Sequence, residues 1–212
     1  ACGAVSDDGL LTVVKNCRHL LSLNVLRCSC ISVAGLLQSQ QFTPQLTCVS
    51  FTFSSDENVE IIEYFRHAQC SALKCFSGTL HNDIVLCAAM YWHNMNTLYL
   101  ERCDLTDSAV FVIARHCKHL TDLTITDSMN LSDVSMHYLA LGTTELQSIM
   151  ILKCNGIGDD GVIALVEGCA KLRSLHVIFN DSVTDRCVAV VKRQKCKNSV
   201  QFLNCSRVTC KL

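Results

Sequence analysis

An apolar pattern recurs along this chain at steps of 22 to 27 residues, and a repeat of that length limits the possible folds more than any other property of the sequence. Written as L-x-x-L-x-L-x-x-C/N-x-x-I/V, it runs through Leu20, Leu23, Val25, Cys28 and Ile31. It returns at Leu120, Leu123, Ile125, Ser128 and Leu131, at Leu146, Ile149, Ile151, Cys154 and Ile157, and at Leu172, Leu175, Val177, Asn180 and Val183. A tighter copy uses Met95, Leu98, Leu100, Cys103 and Leu105. Weaker copies sit at Leu46, Val49, Phe51 and Ser54 and at Leu73 and Phe76, and a truncated one at Val200, Phe202, Cys205 and Val208. The middle positions are therefore 23, 49, 76, 98, 123, 149, 175 and 200.

Each unit changes period halfway. Alternation such as Leu98-Tyr-Leu100 predicts a short strand with one buried face. A hydroxyl followed by an acid comes next, as in Ser6-Asp7, Thr106-Asp107, Ser132-Asp133 and Thr184-Asp185, and predicts a capped helix start. Apolar spacing of three and four then follows, as in Val110, Ile113, Ala114 and Cys117, which is one buried helical face. A helix that returns the chain to the same edge after every strand makes successive strands parallel. The expected fold class is α/β: a horseshoe-shaped solenoid, with a parallel sheet on its concave side and helices on its convex side. Residues 1–212 read as a single array of about seven to eight repeats, incomplete at both ends, with irregular repeats over 48–92. There Phe51, Phe76 and Gly78 replace the regular leucines.

On these residues the chain resembles the leucine-rich repeats of the cysteine-containing subtype, as found in F-box proteins. That subtype runs C-x-x-L-x-x-L-x-L-x-x-C-x-x-I-T-D-x-G-L; Cys17 to Leu36 follows it, ending Ser-Val-Ala-Gly-Leu, and Cys169 to Asp185 follows it with Asn180 in the second cysteine place. The resemblance implies a non-catalytic scaffold whose horseshoe captures a protein substrate for a ubiquitin ligase. The ligase core would be recruited only through a segment not present in these residues, since no F-box-like helical stretch occurs among them.

Composition narrows the classes. Hydrophobic residues at 50% against 17% charged predict a packed core rather than a disordered tail. A net charge of -1 lacks the basic field that a phosphate backbone demands, so nucleic acid is not expected as a partner. The longest apolar stretch, ending at Trp92, is too short to cross a bilayer, so no membrane association is expected.

The 16 cysteines admit a disulfide framework, a metal site or reduced core thiols. Cys17, Cys70, Cys117, Cys169 and Cys196 fall where a helix ends, and Cys28, Cys103, Cys154 and Cys205 end strands, as buried columns of small thiols would. Cys2, Cys30, Cys48, Cys75, Cys87, Cys187 and Cys210 lie outside both columns. With no Cys-x-x-Cys spacing, zinc is not expected, and a reducing compartment, cytoplasm or nucleus, fits better. The glycosylation-type triplets at Asn130, Asn180 and Asn204 do not change this, because the last two are expected in the buried strand-end column.

Gly156-Ile-Gly158-Asp-Asp-Gly161 follows a strand, opens a helix and precedes Asp181, as a dinucleotide fingerprint does. It nevertheless aligns without a gap to Cys28–Gly35, which has Cys30 and Ser32 in place of the first two glycines, and Asp159 and Asp160 would repel a pyrophosphate. Gly161 is better explained as the entry of the turn into the helix. His19 and His119 hold equivalent places before a strand, and His116 ends a helix, where a cation suits the dipole. The basic run Lys192, Arg193, Lys195 and Lys197 reads as a solvated helix end. No catalytic, cofactor-binding or metal-ligating residue is expected, and no cofactor.

What remains is a surface. The residues between the buried leucines form a central column, Asn24, Ser50, Ser77, Tyr99, Thr124, Met150, His176 and Gln201. A second column holds Leu26, Thr52, Thr79, Glu101, Thr126, Leu152, Ile178 and Leu203. The partner-binding candidates are Tyr99, Glu101, Thr124, Thr126, Met150, Leu152, His176, Ile178, Gln201 and Leu203. Met150, Leu152, Ile178 and Leu203 present apolar surface of the kind that has a protein partner. The alternative role is a structural subunit of a large assembly, in which that patch is permanently covered.

Overall fold

A computed structural model describes residues 4–52, 58–66, 72–194 and 199–210; Cys2, Ser54, Cys70, Lys195, Cys196 and Lys197 lie outside the described residues. Eight strands make one parallel sheet in chain order: β1 (Ser22–Asn24), β2 (Cys48–Thr52), β3 (Cys75–Thr79), β4 (Thr97–Glu101), β5 (Asp122–Thr126), β6 (Ser148–Leu152), β7 (Ser174–Ile178) and β8 (Ser199–Leu203). The helices that alternate with them are α1 (Asp7–Asn16), α2 (Val33–Gln40), α3 (Asn58–Arg66), α4 (Asn82–Ala88), α5 (Asp107–His116), α6 (Asp133–Gly142), α7 (Asp159–Gly168) and α8 (Asp185–Gln194). A 3-10 turn at Ala89–Tyr91 continues α4. Each helix packs on the next, so sheet and helices form two layers.

The strand register runs along the aligned middle positions. Leu23 pairs with Val49, Val49 with Phe76, Phe76 with Leu98, Leu98 with Leu123, Leu123 with Ile149, Ile149 with Leu175 and Leu175 with Val200. Leu98, Leu123, Ile149 and Leu175 are at most 1% exposed, and each such burial is worth about 1.5–3 kcal/mol relative to exposure.

The turn that ends each strand repeats as faithfully. Arg27, Arg102, Asp127, Lys153, Phe179 and Asn204, each four places after a middle position, all have positive φ. A left-handed residue there turns the chain off the sheet, so that the very next residue drops into the core. Cys103, Cys154 and Cys205 drop in at that point, and their thiols meet backbone carbonyls of the preceding coil, Gly78, Ile125 and Val177 respectively. Asn180 fills the same place, fully buried, and donates to the carbonyls of Cys154 and Ile157. Asn204 does not belong to that column: it occupies the exposed left-handed position, and Cys205 takes the buried one.

Two other expectations about cysteines change. Cys17 is exposed and Cys28 only half-buried, because the first coil has a described neighbour on one side alone. Cys187, outside both columns in the linear reading, is fully buried in α8. It continues a helical column of small residues, Gly35, Ala109, Ser135 and Gly161, where successive helices approach closely.

That column also corrects the reading of Gly161. It lies inside α7 rather than at a turn, and a Cβ there would strike the Asp133 carboxylate. Over 48–92, Phe51, Phe65, Phe76 and Trp92 fill the core, with ring centroids of Phe51 and Phe76 5.0 Å apart and of Phe65 and Trp92 5.2 Å apart. Gly78 makes room for this, since a Cβ on it would strike the Phe51 carbonyl.

Candidate partner-binding face

The helix starts are built differently from a simple cap. The Ser32 and Ser132 hydroxyls accept from amides of their own helices, but those of Ser6 and Thr106 do not. Where an acid follows the hydroxyl, as after Ser6, Thr106 and Ser132, it reaches to the next coil. Asp7 accepts from the amide and hydroxyl of Ser32, Asp107 from those of Ser132, and Asp159 from those of Thr184. Asn82 does the same for Thr106. Asp133 takes the Gly158 amide at 2.6 Å, so a carboxylate already occupies the amide a phosphate would need, and the glycine-rich segment serves coil packing. Burial alone would raise the Asp159 carboxyl, but the hydrogen bonds from Thr184 and Cys187 outweigh it and hold it below its ordinary value.

This ladder sets the pitch of the coils and so the spacing of the outward side chains. The central column stands as one row by register: Ser50, Ser77, Tyr99, Thr124, Met150, His176 and Gln201. Tyr99 is 43% exposed, Glu101 and Gln201 are exposed, and Thr124, Met150 and His176 are half-buried. In the second column Leu203 is exposed and Leu152 and Ile178 are half-buried. Thr126 departs from the expected exposure. It is only 8% exposed, with its hydroxyl accepting from the Arg102 amide, so it supports the strand-end turn rather than the surface.

Two features of this face escape the linear pattern. The residues one place before each middle position also face out, giving a third row of Ser22, Cys48, Cys75, Thr97, Asp122, Ser148, Ser174 and Ser199. His176 is fixed by that row, its Nε2 lying 3.0 Å from the Ser199 hydroxyl and 3.4 Å from that of Ser174. The second feature is Phe179, an aromatic ring 48% exposed on a residue with φ of 50°. Every other left-handed residue at this place is polar. Their polarity is the signal that would have singled Phe179 out.

The helix side carries its own correction. Burial, and then the neighbouring His93, Arg115 and Lys118, lower the His116 pKa, so His116 is held toward the neutral form rather than serving as a dipole-paired cation. Among the described residues no three His, Cys, Asp or Glu side chains gather as metal donors, and no helix is long and apolar enough to cross a membrane.

No protein-family model matches this chain. Among solved structures it is similar to a chain in the crystal structure of the Rad7 and Elc1 complex in yeast, at a TM-score of 0.50 and 14% identity, over 93% of this chain. Rad7 is a leucine-rich-repeat protein. The fold is a leucine-rich-repeat solenoid. The chain spans 66% of the length of that neighbour, just under two thirds.

Proposed function

We propose that this solenoid is a non-catalytic protein-interaction scaffold that seizes a protein partner on the C-terminal half of its sheet face. The observation that carries the reading is the apolar run of Met150, Leu152, Ile178 and Leu203 on adjacent strands with Phe179 in the turn after β7, all half-buried to exposed. Phe179 supports it further, because an aromatic side chain in a left-handed turn is unfavourable for the fold alone and exposing it is unfavourable for solubility. Tyr99, Glu101, Thr124, His176 and Gln201 supply a polar margin of the kind that surrounds an interface core.

The resemblance to the cysteine-containing subtype assigns a finer role. The scaffold is the substrate-recognition part of an SCF-type ubiquitin ligase, with the ligase core engaged through a segment outside these residues. That the similar solved chain was crystallised in a complex with another protein fits a scaffold role. Buried reduced cysteines fit a reducing compartment, cytoplasm or nucleus.

Affinity purification of the full-length protein beside its L152D/I178D variant, followed by mass spectrometry, tests both levels. The scaffold reading expects a defined set of proteins lost from the variant, and the ligase reading expects ligase-core subunits retained by both. Recovery only of subunits of one stable assembly, equally with both proteins, would replace the reading with that of a structural component.

A further inference from the structure

Cys48 and Cys75 hold the same place in successive coils, and the register pairs them directly across β2 and β3. Both are half-exposed and face outward, since the residues that follow them, Val49 and Phe76, are fully buried. The Cys75 thiol on β3 and the Ser22 hydroxyl on β1 are the polar side chains that act on Cys48. In the other coils this row carries hydroxyls or an acid, so it is here that two sulfurs stand side by side on the sheet. The next outward residues are Ser50 and Ser77, small enough to leave both sulfurs open to the concave surface.

Neighbouring strands lie about 4.8 Å apart. In-register Cβ atoms are separated by about that distance, whereas a disulfide wants roughly 3.5–4.5 Å and side chains turned toward each other. Here both side chains leave the sheet in the same direction, which suits a single atom bridging the two sulfurs better than a direct bond between them. Two sulfur donors with no third His, Cys, Asp or Glu gathered beside them among the described residues match a soft ion of low coordination number, not tetrahedral zinc or an oxygen-seeking cation.

We propose that Cys48 and Cys75 form a two-sulfur site for a soft, thiophilic metal ion of the Cu(I) class. Binding forms two metal–sulfur bonds and breaks two S–H bonds: two thiols and one Cu(I) give a bis-thiolate complex of charge minus one and two released protons. The metal keeps its oxidation state. Burial, and then the hydrogen bond and charge of Cys75, push the Cys48 thiol up, so it holds its proton until a cation displaces it.

The test is an anaerobic titration of the reduced full chain with Cu(I) against bathocuproine disulfonate as competing chelator. The wild type holds one equivalent of Cu(I) more than C48S/C75S; the single variants C48S and C75S lose that equivalent as well, and C30S keeps it. Equal stoichiometry in wild type and C48S/C75S overturns the site, as does retention by both single variants. X-ray absorption of the wild-type complex at one equivalent reads the same claim without any variant: two sulfur neighbours support it, and a shell of nitrogen or oxygen contradicts it.

Discussion

The carboxylate of Asp107 accepts both the amide and the hydroxyl of Ser132, at 2.8 and 2.5 Å, so the first residue of α5 fixes the residue ahead of α6. Because Asn82 makes the equivalent pair of bonds to Thr106 without a charge, D107N should be milder than D107A. Hydrogen bonds to a charged group are worth about 1.5–3 kcal/mol, and D107A should lose on that order in chemical denaturation. Equal losses for the two variants would mean that helix packing alone sets the coil spacing.

The same ladder sets the acid limb of stability. The Asp159 carboxyl sits below its ordinary value of 3.8 in the folded chain, so its contribution is present above that pH and is lost as pH falls through the lowered value. Thermal melts from pH 6 to pH 2 should show a decline below about pH 4 that D159N makes shallower, since the variant has no carboxylate to protonate.

Phe179 separates stability from binding. Asn tolerates the left-handed region that costs an ordinary residue about 1–2 kcal/mol, so F179N should raise the melting temperature while weakening the partner. A variant that is both less stable and fully competent for binding would show that the ring serves the fold.

Burial pushes the Cys103 and Cys117 thiols up to about 12 and that of Cys154 to about 11. Native alkylation at pH 8 followed by peptide mass spectrometry should label Cys87 and Cys210, which are exposed, and leave those three unmodified until the protein is unfolded.

L123D places an unpaired charge at a site 1% exposed and should abolish the cooperative melt. The double variant L152D/I178D should keep its circular dichroism, because both side chains lie on the outward face of the sheet. The reverse outcome would mean that the strand register is one residue out.

The buried middle residues are legible in the linear sequence because strand alternation leaves only one face for Leu98, Leu123, Ile149 and Leu175. The order of the strands follows from the constant step between them. What sequence spacing does not display is which coil receives a hydrogen bond. Asp107 looks like a helix-dipole residue until Ser132 is seen beside it, and Gly161 looks like a turn until the Asp133 carboxylate lies against it. The row holding Ser174 and Ser199 does not stand out in the sequence for a related reason: it precedes the apolar pair that defines each strand, and only the register shows it facing outward with Tyr99 and His176. Thr126 belongs to an exposed column by alternation, yet the turn at Arg102 draws it inside.

Photo-crosslinking of the partner from defined positions tests the interaction face most directly. A benzoylphenylalanine at Ile178, on the sheet face, should crosslink, and one at Leu141, 83% exposed on the helical side, should not. Crosslinking from position 141 with none from position 178 would contradict the account.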